Sequence, residues 1–180
     1  MRFCLFIICV LLAGCGKPPL PVLGDVPAFQ LVDQSGGKFD SQSLAGHVWV
    51  ADFVFTNCEG PCPRMTSHMH SLQTKTSSDL NLVSFTVDPA RDTPPVLAEY
   101  AKKFAFDQKR WHFLTGQVAT LNMLDQDAFK LGTIGQEIEH STRFALVDKK
   151  GHIRGYYGLS DGNPEDKIVR DAERLERESS

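Results

Sequence analysis

Long apolar runs are scarce in this chain. The run near its start, Phe3 to Leu12, is well short of the about 20 residues that cross a bilayer as a helix, so it does not read as a membrane span. An excess of positive charge is also missing. With 19 Lys and Arg against 22 Asp and Glu, the formal charge is −3, and no basic face or aromatic ladder accompanies it, which argues against a nucleic-acid partner. There is no repeat and no low-complexity block to divide the chain, so a single domain with a sizeable core is expected. Proline is absent between Pro95 and Pro164. Cysteine is sparse as well: of five, Cys4, Cys9 and Cys15 fall at the start, leaving Cys58 and Cys62 in the body of the chain.

Those two cysteines sit where the sequence says most. Val48 to Phe55 has the apolar, aromatic and β-branched make-up of a buried strand, and it runs into Thr56-Asn57-Cys58-Glu59-Gly60-Pro61-Cys62-Pro63. Pro63 suits the first turn of a helix, which places Cys62 at or just before a helix N-terminus, where backbone N–H groups and the macrodipole favour a thiolate. At this spacing the two thiols should reach each other and also reach one metal ion. A dithiolate is a soft pair suited to Cu(I), whereas a structural Zn(II) site would want four ligands. Disulfide chemistry and metal binding both stay open, as does a purely structural disulfide.

The chain start predicts a compartment. Arg2, the apolar run and Leu12-Ala13-Gly14-Cys15 resemble a bacterial lipoprotein signal. That resemblance implies a signal over 1–14, cleavage before Cys15, lipidation of Cys15 and a place on the extracytoplasmic face of a bacterial envelope. Residues 15–25, rich in proline, read as a semi-extended tether, and 26–180 as the domain.

Along the domain, Phe29 to Phe39 reads as a small hairpin, 48–55 and Leu80 to Val87 as buried strands, and Trp111 to Leu114 as a short strand. Helices are expected from Pro63 to about Thr76 with Met65, Met69 and Leu72 on one stripe, and from Pro94 with Val96, Leu97, Tyr100, Ala101 and Phe104 inward. A third is expected over Val118 to Leu131. Phe144 to Val147 and His152 to Tyr157 flank a hairpin turn at Asp148-Lys149-Lys150-Gly151. The last helix follows Asn163 as N-cap and Pro164 as its first residue, with Ile168, Val169, Ala172 and Leu175 buried. This β-α-β-α order followed by a hairpin and a helix resembles an α/β thioredoxin-like fold with an N-terminal β-hairpin extension and an inserted helix.

The motifs Thr56 to Pro63, Val87-Asp88-Pro89-Ala90-Arg91-Asp92-Thr93-Pro94, Phe113-Leu114-Thr115-Gly116 and His140-Ser141, with Asp148 and Gly151 downstream, together resemble the Sco (SenC) family. These are membrane-tethered copper proteins associated with assembling the binuclear copper centre of cytochrome c oxidase. The resemblance covers about Val26 to Tyr157. It implies Cys58, Cys62 and His140 as ligands for Cu(I) or Cu(II), with Asp88 close behind them. In such folds the loop entering the strand near Arg143 faces the cysteines, and a histidine stands where thioredoxins usually carry a cis-proline. His68 and His70 lie about 9–12 Å along the helix from Cys62, too far to join it. His152 reads as a surface residue, while His47 and His112 have no evident partner.

The implied partners are a copper-centre subunit of the oxidase or another cupro-protein, other copper chaperones or thiol reductants, and the membrane through the lipid. Two activities compete: copper carriage, and a thiol–disulfide oxidoreductase that keeps target cysteines reduced. A thiol peroxidase would need Pro at Ala51 and Thr at Phe55, and a conventional thioredoxin would space its cysteines by two residues.

Overall fold

The computed structural model describes residues 18–76, 80–131 and 142–178. Its frame is one eight-stranded sheet. The strands are β1 (Gly24–Asp25), β2 (Gln30–Asp33), β3 (Lys38–Asp40), β4 (Trp49–Val54), β5 (Asn81–Thr86), β6 (Trp111–Thr115), β7 (Arg143–Val147) and β8 (His152–Gly158), in the spatial order β1-β8-β7-β4-β5-β6-β2-β3. The β4, β5 and β6 strands are parallel, and β7 runs antiparallel to β4 with Trp49 opposite Val147 and Ala51 opposite Ala145. Parallel neighbours need crossovers, supplied here by α1 (Cys62–Lys75) and α2 (Pro94–Lys102). The α3 helix (Val118–Asn122) and α4 (Pro164–Arg177) complete the thioredoxin-like α/β arrangement.

Alternation along β4 splits the core in two. Val50 and Val54 point to the side covered by α1, α2 and α4, where Met65, Met69, Leu72, Leu97, Ile168 and Leu175 pack. Trp49, Ala51 and Phe53 point to the other side, against Val83, Phe85, Leu124 and Phe129. By the same period of two, Asp52 shares the side of Val50 and Val54. It is fully buried there.

Four local expectations change. Val96 is 39% exposed, so α2 buries only Leu97, Tyr100 and Ala101. The third helix is α-helical only to Asn122 and then widens into a π-turn over Met123–Ala128. Phe129 N–H donates to Leu124 O at 2.8 Å across that wide turn, and both side chains reach the core. Asn163 makes no side-chain cap, its amide donating instead to Asp166 Oδ2 at 2.6 Å; Val169 is only half-buried. Last, the proline-rich segment from residue 18 to 25 lies against the domain: Gly24 and Asp25 pair with Ile153 and His152, and Leu20 packs on the core.

Candidate metal and thiol centre

The β4 strand delivers the chain to the site, and α1 carries it away. Cys62 is the first residue of α1, with Pro61 before it and Pro63 in the first turn. Cys58 sits in the intervening turn, half-buried, while Cys62 has no exposed surface. Both are free thiols. The helix start expected from Pro63 is present, but the thiolate it should favour is opposed. Burial, then the Cys58 thiol as hydrogen-bond partner and, least, the Asp52 carboxyl push the Cys62 thiol up to about 12, against a backbone bond at Phe55 that pulls it down. The magnitudes explain the outcome. A helix N-terminus contributes at most about 2 kcal/mol, near 1.5 pK units, whereas burial shifts a group by up to 3–5. Burial therefore outweighs the helix start, and Cys62 is held as a thiol.

Two buried acidic residues stand near the turn, and one of them holds it. Asp92, 1% exposed, accepts from Thr56 N at 3.2 Å, Thr56 Oγ1 at 2.6 Å and Thr86 Oγ1 at 2.6 Å. It therefore ties the start of the cysteine turn to the end of β5. Thr86 Oγ1 in turn accepts from Asp88 N at 2.9 Å. The Asp88 carboxylate itself pairs with Arg91 Nε at 2.8 Å. Asp92→Ala should lower stability by about 2–3 kcal/mol, the scale of a charge-assisted hydrogen-bond hub left unpaired in the interior, read by urea denaturation. A loss under half a kcal/mol would mean that Asp92 does not hold the turn.

Asp52 is the second. Among the described residues neither of its oxygens has a hydrogen-bond partner. Burial pushes its carboxyl up to about 7. Ser84, its register partner on β5, pulls the other way without meeting hydrogen-bond geometry, its hydroxyl accepting from Trp111 Nε1 at 3.0 Å. Asp52 had a visible signal, a lone charge inside an apolar strand. Asp92 had none, since Asp-Thr-Pro also reads as an ordinary helix start.

The histidines sort by place. His68 Nδ1 lies 2.8 Å from Glu165 and its ring packs edge-on to Phe144, so it is engaged between α1 and α4. His70 is half-buried with Nδ1 unpartnered among the described residues. His112 packs on Phe39, and burial pushes its imidazole down. His152 is no free surface residue: its Nδ1 is 2.5 Å from Asp25 Oδ1, which helps hold β1 to β8. His47 is exposed. His140 and Cys15 lie outside the described residues, and within those residues no three His, Cys, Asp or Glu side chains converge on one point.

Comparison with known proteins bears on the family of the whole domain. The family model described as SCO1/SenC matches residues 24–176. A crystal structure of a SCO1/SenC family lipoprotein from Bacillus anthracis is similar at 36% identity and TM-score 0.78, covering 86% of this chain and 96% of that one. BsSco, a member of the Sco family of cytochrome c oxidase assembly proteins with a disulfide switch, matches at 32% identity and TM-score 0.80, over 90% of this chain and 99% of its own. Yeast Sco1 with copper bound matches at 29% identity and TM-score 0.68, over 88% and 95%. Among the described residues no helix is long and apolar enough to cross a membrane.

Proposed function

The chain belongs to the SCO1/SenC family, and from that premise we propose that it is a copper carrier tethered to the bacterial cell envelope, serving the copper centre of cytochrome c oxidase. The observation that carries this is the pair of free thiols in one turn, one half-buried and one buried, just past the end of β4 in the parallel part of a mixed sheet. A soft dithiol held this way suits Cu(I). Cys58, Cys62 and His140 are the assigned ligands, and Asp88 is assigned to the region behind them. With only three ligands the ion stays open to an incoming donor and can pass on by ligand exchange. The recipient is the copper-centre subunit of the oxidase, and reduction of the pair falls to a thiol donor. A copper-bound yeast relative and a relative from an oxidase-assembly family support this reading.

The same thiols can form a disulfide, giving up two protons and two electrons to an acceptor. That is the second state of one site, since both sulfurs lie within reach of each other.

Copper titration of the reduced chain lacking residues 1–15 is the test. One Cu(I) should bind, and one Cu(II) with thiolate-to-metal charge-transfer absorption. His140→Ala should weaken Cu(II) more than Cu(I), because two thiolates hold Cu(I) unaided whereas Cu(II) wants nitrogen in a tetragonal set. His70→Ala should change neither. Equal losses from the two histidine variants would mean that the helix geometry placing His70 away from the site is wrong.

The tether has its own check. Cys15→Ser should release a folded, copper-competent chain to the soluble fraction, with oxidase activity falling in cells grown at low copper, because surface confinement raises effective concentration at a membrane-bound recipient. Membrane retention of the serine variant would refute lipidation at Cys15.

A further inference from the structure

Arg154 and Arg174 hold the chain just after the assigned lipid site. Arg154 is 7% exposed, and its Nη1 bonds Asp148 Oδ2 at 2.8 Å and Glu178 Oε2 at 2.9 Å. The segment near Leu20 takes Nε and shares Nη2: Nη2 donates to Leu20 O at 2.6 Å and to Glu178 Oε1 at 3.3 Å, and Nε donates to Leu20 O and Pro21 O, both at 3.2 Å. Arg174 Nη2 donates to Pro18 O at 2.6 Å while its Nη1 bonds Asp171. Leu23 N donates to Ile153 O at 2.8 Å and Val26 N to Gly151 O at 2.9 Å. A freely moving tether would not fill a buried guanidinium with its carbonyls. Arg154 without them would leave its nearly buried Nε–H unpaired and Nη2 with only the longer bond to Glu178, and an unpaired buried donor costs about 1–3 kcal/mol.

The place of this docking matters as much as its strength. Arg154 meets Asp148, at the turn that follows β7, and Trp49 opposite Val147 puts that turn beside the beginning of β4. Gly46 N donates to Lys149 O at 2.9 Å, closing the same end. The cysteine turn follows the other end of β4, about 20 Å away at 3.3 Å per residue. From Pro18, which is docked, Cys15 is no more than about 11 Å along a fully extended chain. An undocked tether from 15 to 25 would reach on the order of 35 Å, which would let any face of the domain meet the bilayer.

We propose that residues 18–25 act as a strap that orients the domain on a lipid surface, with the Asp148–Gly151 turn and the last turns of α4 toward the headgroups and the cysteine turn pointing away. This rests on lipidation of Cys15. The end so presented carries exposed Lys150 and Arg177. The outward pole carries the thiols, placed to meet the part of a recipient that projects from the membrane.

The test uses the mature lipidated chain, isotope-labelled and reconstituted into phosphatidylcholine vesicles with a small fraction of lipid bearing a gadolinium-chelate headgroup. Amides of 149–151 and 174–178 should relax about tenfold faster than those of 56–60, given the about 20 Å of β4 between them. In a Leu20→Gly, Arg174→Ala variant, which removes the Leu20 side-chain packing and the Arg174 bond to Pro18 while the Arg154 bonds to main-chain carbonyls remain, that contrast should shrink. Uniform enhancement on an attached parent chain would overturn the strap while leaving lipidation standing. A contrast unchanged in the double variant would overturn the role given to Leu20 and Arg174. A chain that does not attach at all would overturn the lipidation reading, and the orientation with it.

Discussion

At pH 8, Asp52→Asn is expected to be about 4 kcal/mol more stable relative to the parent than it is at pH 4, with the whole difference opening between those two values. The driving observation is a carboxyl with no exposed surface, no hydrogen-bond partner among the described residues, and a pKa pushed up by burial from 3.8 to about 7. Below 3.8 both folded and unfolded chains hold the proton, so there is no penalty. Between 3.8 and 7 the unfolded chain gives up its proton while the folded chain keeps it. Stability therefore falls by about 1.4 kcal/mol per pH unit over that window, and above 7 it levels off. Asparagine has the same shape and cannot ionise, so its stability should stay flat over the window. Urea denaturation at half-unit steps from pH 4 to 8 reads the two curves. Parallel curves would show that Asp52 is hydrated or paired and does not resist ionisation.

A cost of that size in the middle of a core strand helps explain what was legible in the sequence. Strands β4 to β8 and helices α1, α2 and α4 were readable because their apolar spacing had to match the two-sided burial seen around Val50, Val54, Met65 and Leu72. The cysteine turn was readable because Pro63 can occupy only the first turn of a helix. What the pattern could not convey was long-range pairing. Thr56 and Asp92 are 36 residues apart and meet only when β4 and β5 lie side by side. Leu20 and Arg154 are 134 apart, and a proline-rich stretch looks the same whether it is free or strapped down. The thiolate expected at Cys62 is opposed for a similar reason: a helix start is a local feature, whereas burial depends on the completed fold.

The second large effect concerns copper itself. Metal binding takes thiolates, so each thiol protonated in the free chain must give up its proton to bind. With Cys62 pushed up to about 12, it is protonated in the free chain throughout pH 6–9. Cu(I) affinity should then rise at least tenfold for each pH unit over that range, with no levelling near 8.5 where an ordinary cysteine would stop contributing. Cys62→Ser should bring down both the affinity and the slope. Losing a direct thiolate should cost more than the roughly 10–100-fold typical of losing a group behind a ligand, and the slope contributed by this proton should vanish. The fold should survive, because serine fits the space of the buried thiol and Thr66 Oγ1 bonds the carbonyl of residue 62, at 3.0 Å, whatever its side chain. Competition titrations against a Cu(I) chelator at several pH values would measure both quantities on the same protein. If Cys62→Ser keeps the parent slope, the proton released on binding comes from elsewhere and Cys62 is not a ligand; if the parent curve flattens by pH 8.5, the helix start has outweighed burial after all.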